Sequence, residues 1–164
     1  MSDTWIVNAS PVIALAKIER LDLLSPHGRT PLIPEAVATE ILRAPKQDPA
    51  RQAVESGWCF PPQAATPDPA VLEWGLGAGE TAVLSLARQR NAVAVVDDRA
   101  ARTACKALGI RFIGTLGLVL MARLEGRISS SVEILKALQA AGLHLDDEVI
   151  REALRKTTKE IWPG

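Results

Sequence analysis

Gly77-Ala78-Gly79-Glu80-Thr81-Ala82 opens the stretch that decides the fold, which continues to position 102 as Val-Leu-Ser-Leu-Ala-Arg-Gln-Arg-Asn-Ala-Val-Ala-Val-Val-Asp-Asp-Arg-Ala-Ala-Arg. The pattern predicts a helix, a tight connection, a buried strand and the start of another helix. The predicted strand, residues 93–96, is a continuous apolar run, as is typical of a parallel strand that is covered on both faces. Ligands gather at the carboxyl ends of such strands. Asp97 and Asp98, which follow the run directly, are therefore expected at the mouth of a site.

Glu80 stands out within the predicted helix. Helical periodicity places it in the same apolar arc as Val83, Leu84 and Ala87. An unpaired charge in such an arc is costly, so Glu80 needs a cation, a partner or a water-filled cleft. The amide groups of the glycine-rich turn are one such partner, because acidic side chains are favoured at helix N-termini.

Composition limits the classes of protein to which the chain can belong. Its 164 residues predict one domain, 1–164, with an α/β core at 1–113 and C-terminal helices at 114–164. The 19 basic and 19 acidic side chains balance, so a strongly basic nucleic-acid binder is excluded, although a local groove can still be basic. Cys59 and Cys105 form neither a disulfide framework nor a zinc motif, which favours buried thiols in a cytoplasmic protein. No apolar run approaches the roughly 20 residues of a membrane span, and no signal peptide is expected.

The rest of the chain alternates strands with helices. Strands are predicted at 5–7, 31–33 and 110–113, with a weak candidate at 58–60. Ser10 is predicted to cap a helix with Pro11 at its first position. A helix from Pro34 to about residue 43 carries Glu40 at the border of its apolar stripe, facing either a cleft or water. This alternation predicts a parallel sheet sandwiched by helices.

Acidic or amide side chains recur at comparable places along this pattern, namely Asn8, Glu40, Glu80 and the Asp97/Asp98 pair. Clustered carboxylates repel one another, so such a cluster is stable mainly around a divalent cation, and oxygen ligands favour Mg²⁺ or Mn²⁺. A bound ion of this kind can polarise a phosphodiester and activate water, so hydrolysis needs no side-chain nucleophile. The chain indeed lacks a convincing Ser-His-Asp or Cys-His arrangement.

The ordered set of these segments resembles the PIN-like nuclease superfamily, in particular a branch of small relatives of VapC-type toxins. The resemblance is carried by residues 8–11, Glu40, 77–82, 96–102 and 109–126, and it covers nearly the whole chain. It implies a three-layer α/β/α sandwich with a central, mostly parallel sheet, and Mg²⁺- or Mn²⁺-dependent cleavage of single-stranded RNA. It also implies a homodimer and, in toxin members, a cognate antitoxin. By position it implies Glu40, Glu80, Asp97 and Asp98 as catalytic acids, with Glu80 and one or both aspartates as metal ligands.

One position departs from that pattern, because Asn8 stands where the family has its first aspartate. An amide oxygen can still bind a hard cation, but it brings no negative charge. We therefore expect a neutral ligand at Asn8, weakened metal binding and, as an alternative function, an impaired module that acts by dimerisation and by binding RNA or protein. Asp3 is not a substitute, because it precedes the strand rather than ending it. Ser10, Arg99 and Arg102 are candidate substrate contacts. A helix cap explains Ser10 better, and a solvated helix face explains the two arginines equally well.

Overall fold

A parallel sheet of three short strands forms the centre of the fold. The computed structural model describes residues 4–164, so Asp3 lies outside the described residues. The strands are β1 (Trp5–Val7), β2 (Val93–Val95) and β3 (Phe112–Ile113), in the spatial order β1-β2-β3. Ile6 pairs with Ala94, which in turn pairs with Phe112. Leu32 adds an isolated parallel bridge to Ile6. The predicted parallel α/β arrangement is confirmed.

Helices cover the sheet and extend beyond its last strand. In the described part of the chain there are nine α-helices: α1 (Ala9–Lys17), α2 (Glu35–Leu42), α3 (Pro49–Glu55), α4 (Pro69–Leu72), α5 (Ala78–Arg90), α6 (Arg99–Leu108), α7 (Thr115–Leu124), α8 (Ser131–Ala140) and α9 (Asp147–Lys156). Two short 3₁₀ helices, Leu21–Leu24 and Pro26–Gly28, follow α1.

β1 and β2 are buried on both faces, which explains their continuous apolar sequences, whereas β3 is only partly buried. Ile6, Val95 and Val96 are fully inaccessible to solvent, as are Val83 and Leu84 on the inner face of α5. Fully burying a side chain of this size contributes about 1.5–3 kcal/mol relative to leaving it exposed. Helix α5 is therefore fixed against the sheet, and its N-terminus is held at the carboxyl end of the strands.

Three local predictions are wrong. Residues 31–33 form no strand, because Leu32 makes only the isolated bridge to Ile6. Ser10 does not cap α1, because the helix begins at Ala9 and Asn8, in an extended conformation, occupies the N-cap. Pro11 is tolerated in the first turn, where backbone N–H groups have no intrahelical partner. Residues 58–60 form no strand, because the chain turns there and Cys59 adopts a left-handed φ of 58°. In addition, the strand predicted at 110–113 is shortened to β3.

Both cysteines are buried and free, as predicted. Burial raises the pKa of Cys59 to about 12, and burial likewise raises the pKa of Cys105 to about 11, so neither thiol is ionised near neutral pH. No helix within residues 4–164 is long and apolar enough to cross a bilayer.

Asp68 ties the proline-rich loop before α4 to helix α5. Its backbone N–H donates to the buried Ser85 hydroxyl at 2.9 Å, and its carboxylate accepts from the Ala70 N–H at 2.9 Å. The same carboxylate accepts from Arg88 Nη1 at 3.0 and 2.9 Å. Hydrogen bonding from Arg88, followed by that from Ala70, lowers the pKa of Asp68. The ionised form is therefore the one that the fold stabilises.

We predict that the Asp68 contact makes the protein more sensitive to acid. A carboxyl whose pKa is lowered by folding adds stability above its unfolded pKa of about 3.9, and that stability is lost as the pH falls through the lower folded pKa. Asp68→Asn keeps a capping oxygen but removes the ion pair. The melting temperature of the wild type should exceed that of the variant at pH 7, and the difference should shrink toward pH 3. A difference that does not change with pH would contradict the assignment.

Candidate active site

The carboxyl ends of the three strands bring the predicted site segments to one edge of the sheet. Asn8 follows β1, Asp97 lies two residues beyond β2, and Gly114 and Thr115 follow β3. The Asn8 N–H donates to Val95 O at 3.0 Å, which extends the β1–β2 pairing to the site. Neighbouring strands lie about 4.8 Å apart, so side chains leaving this edge are within reach of one small ligand.

Asn8 and Glu40 converge on the N-terminus of α5. A Cβ atom added to Gly79 would lie 3.1 Å from Asn8 Oδ1 and 3.2 Å from Glu40 Oε1, so both oxygens face the space that this glycine leaves open. Asn8 is only 5% exposed, and its Oδ1 is buried without a hydrogen-bond partner. Two acceptor oxygens that share a space need a donor or a cation between them, because neither can donate to the other.

Glu80 is half-buried and lies beside this pair on the first turn of α5. Its Oε2 is 2.8 Å from the position that a Cβ on Gly77 would take, so the carboxylate turns back over the N-cap of the helix. This orientation is typical of an acidic side chain that complements a helix N-terminus. Glu80 follows Gly79 in the chain, and its carboxylate is directed toward Gly77.

Asp97 and Asp98 have different roles. Asp97 accepts hydrogen bonds from the Thr115 N–H at 2.7 Å and from Thr115 Oγ1 at 2.6 Å, which holds its carboxylate against the start of α7. Asp98 is exposed and accepts from the Ala101 N–H at 2.9 Å, as the N-cap of α6. Of the two aspartates, Asp97 is the one held at the end of the strand.

Arg102 is the candidate substrate contact that the fold holds in place. Its guanidinium lies 5.4 Å from the centre of the Phe112 ring. A Cβ on Gly114 would be 3.2 Å from Asp97 Oδ1 and 3.8 Å from Arg102 Nη1, so these two groups flank the same point. Arg99 and Ser10 are exposed at the first turns of α6 and α1.

Comparison with known proteins places the chain in a family. A family model described as a PIN domain (DUF3368) matches residues 4–159. The chain belongs to this PIN-domain family. Neither the curated proteins nor the solved structures gave a match. The matched region includes every helix and strand of the fold, and it confirms the resemblance to PIN-like nucleases. The closer relation to VapC-type toxins stays a prediction.

The fit of a metal ion to this PIN domain depends on a small set of oxygens. Within residues 4–164, no three His, Cys, Asp or Glu side chains lie close enough to share an ion. The carboxylates expected to act together are divided, because Asp98 caps α6 and Asp97 binds Thr115. What remains is Asn8 Oδ1, which lacks a partner, and Glu40 Oε1 beside it. Mg²⁺ is often held by one or two carboxylates together with water and substrate phosphate, so this pair fits a weakly held, hydrated ion.

Sequence reasoning misses two residues of the site. The pattern presents Thr115 only as the start of a helix, yet it is fully buried and orients Asp97. Its position two residues after β3, at the same edge as Asn8 and Asp97, is the available signal. The sequence pattern indicates only that Gly79 belongs to a turn. In the structure, its missing side chain leaves the space that Asn8 and Glu40 face. No pattern in the sequence indicates that contact, because it joins three separate segments.

We predict that losing the Thr115 hydrogen bond to Asp97 and losing the Asp98 helix cap lower stability by different amounts. Thr115→Val keeps the shape of the side chain but removes a donor to a carboxylate, and should lower the free energy of unfolding by about 1–3 kcal/mol. Asp98→Ala removes an N-cap and should lower it by about 1 kcal/mol, whereas Asp98→Asn should cost only a few tenths. Urea denaturation measures all three changes. Equal stability of Thr115→Val and the wild type would show that the Thr115 hydroxyl does not hold Asp97.

Proposed function

We propose that this protein is an endoribonuclease that cleaves single-stranded RNA with Mg²⁺ or Mn²⁺, and that it holds its ion weakly because of Asn8. Membership of the PIN-domain family supports a nuclease-type module. The observation that carries the proposal is the buried, unpartnered Asn8 Oδ1, which shares the space over Gly79 with Glu40 Oε1. A hydrated cation satisfies both oxygens at once.

The roles of the side chains follow from their positions. A bound divalent ion lowers the pKa of its water and polarises a phosphodiester. In the proposal, Asn8 and Glu40 supply oxygens to the ion, and the exposed Glu40 carboxylate also orients or deprotonates the attacking water. Glu80 adds negative charge beside them. Asp97, fixed by Thr115, forms the second wall of the site.

The proposal also covers contacts to the RNA backbone and the partners of the protein. Arg102, with Arg99 and Ser10, contacts the phosphate backbone at the rim of the site. We further propose a homodimer and the toxin role of a toxin–antitoxin pair, whose antitoxin would occupy the same groove; the family relationship alone supports these two points. The two buried free thiols fit a cytoplasmic location.

A second candidate function is a catalytically impaired PIN module that retains RNA or a protein partner without cleaving RNA. Two observations favour it. Asn8 contributes no charge to the site, and no three acidic, His or Cys side chains of the described residues form a cluster. A site with so little negative charge has low affinity for divalent ions.

The first prediction of the proposal concerns cleavage. End-labelled single-stranded RNA should be cut in Mg²⁺ or Mn²⁺ and stay intact in EDTA, and a matched duplex should be cut poorly. Glu40→Gln should slow cleavage by on the order of 100-fold, because it removes a ligand and a base. Glu35→Gln is the matched control, since Glu35 is also exposed on α2. RNA that is retained but uncut in every ion would contradict the enzyme and support the module.

A further prediction concerns the charge at position 8. Asn8→Asp should tighten Mg²⁺ or Mn²⁺ binding by on the order of tenfold, because a carboxylate replaces an amide next to the ion. Without metal, the introduced carboxylate would repel that of Glu40, so the melting temperature should fall in EDTA and recover with Mg²⁺. Asn91→Asp, at the exposed C-cap of α5, is the matched control.

The wild type and this variant together distinguish a bound ion from a hydrogen bond between Asn8 and Glu40. If the Asn8 amide instead donates to Glu40, Asn8→Asp still lowers the melting temperature, because aspartate cannot donate. In that case Mg²⁺ would not raise the melting temperature of the wild type, and the proposed ion site would be wrong.

A further inference from the structure

A groove leads away from the candidate site along helix α1. Its volume is about 240 Å³. Ser10, Ile13 and Lys17 line it at helical spacing, so one face of α1 forms its floor. Glu40 and Leu143 contribute to its walls. We call this cavity the α1 groove. It shares Ser10 and Glu40 with the candidate site. Lys17 lies seven positions after Ser10, which is about 10 Å along the helix.

The connection between α8 and α9 forms the outer wall of the α1 groove. Helix α8 ends at Ala140, and the chain turns at Gly142, whose φ is 103°. This turn brings Ala141 and Leu143 against α1, and Leu143 is largely buried. The helices that follow the sheet therefore complete a cavity that begins near the carboxyl ends of the strands.

Lys17 provides the positive charge of the α1 groove. Among the lining residues, all within the described part of the chain, it is the basic one, and it is exposed. Its Nζ donates to Ala141 O at 3.5 Å, a long hydrogen bond at the C-terminal end of α8. An ammonium group has three donors, so Lys17 keeps donors for an anion. A structural role as a partner of the α8 carbonyls is the alternative that a test must separate.

The chemistry of the groove matches one nucleotide. Ile13, which is partly exposed, offers an apolar surface to a base or ribose, and Lys17 offers a charge to a phosphate. The groove follows α1 for about 10 Å, which suits one nucleotide better than a longer segment. The groove also opens at Glu40, where the proposed cleavage would occur.

We propose that the α1 groove is a subsite for the nucleotide next to the scissile phosphate of single-stranded RNA, with Lys17 paired to its phosphate. This inference rests on the proposed function for its substrate, but it concerns binding rather than cleavage. It assigns a substrate-binding role to Lys17 and to the α8–α9 connection.

The test measures binding of a fluorescein-labelled hexaribonucleotide by anisotropy, with the full chain in EDTA, between about 50 and 200 mM KCl. Lys17→Met removes the charge and keeps an apolar stem. It should weaken binding several-fold at low salt and reduce the slope of log K against log [KCl] by about 0.7, the value for one phosphate contact on a single strand. Lys17→Arg should keep the slope. Lys106→Met is the matched control, because Lys106 is exposed in the last turn of α6.

Each outcome decides the proposal. An unchanged salt slope in Lys17→Met, even with a lower melting temperature, would show that Lys17 only caps α8 and would overturn the subsite. An equal loss in Lys106→Met, or no RNA binding by the wild type, would overturn it too. Cleavage in Mg²⁺ is measured separately. A wild type that binds RNA through Lys17 and cleaves nothing supports the groove while contradicting the nuclease.

Discussion

The parallel pairing of β1 with β2 is the constraint on which the rest of the structure depends. Val7 pairs with Val95, and the pairing continues through the Asn8 N–H to Val95 O. A slip of one residue would reverse which side chains face each layer of helices. Because both strands are buried on both faces, the register is fixed by packing. The parallel orientation of the two strands places Asn8 and Asp97 at the same edge of the sheet.

The sequence predicts the layers of this fold well because two of its strands have a clear pattern. Continuous apolar runs at 5–7 and 93–96 indicate buried parallel strands, and the helix starts at Asp48, Asp68, Asp98, Ser130 and Asp146 all carry capping side chains. The predicted cap at Ser10 is wrong for a local reason. Asn8 already has the extended backbone of an N-cap, so the helix begins earlier and Pro11 falls within its first turn.

The candidate site is harder to predict from the sequence, because each of its side chains could have a purely structural role instead of binding a ligand. An aspartate after a strand can cap a helix or bind a ligand, and sequence alone could not divide these roles between Asp97 and Asp98. The division depends on Thr115, which begins α7 after another strand and fixes Asp97. Likewise, the contact of Asn8 and Glu40 depends on the space at Gly79. Such contacts between distant segments leave no periodic signal.

The charge of the site determines how an ion and RNA would depend on each other. Of the two oxygens nearest the Gly79 space, Asn8 Oδ1 is neutral and Glu40 Oε1 belongs to a carboxylate. A divalent ion held there keeps excess positive charge, which a phosphodiester can neutralise. Ion and RNA would then strengthen each other's binding by the same factor, since coupling between two ligands is reciprocal. Lys17 acts at the other end of the α1 groove, so its contribution to RNA affinity does not require the ion.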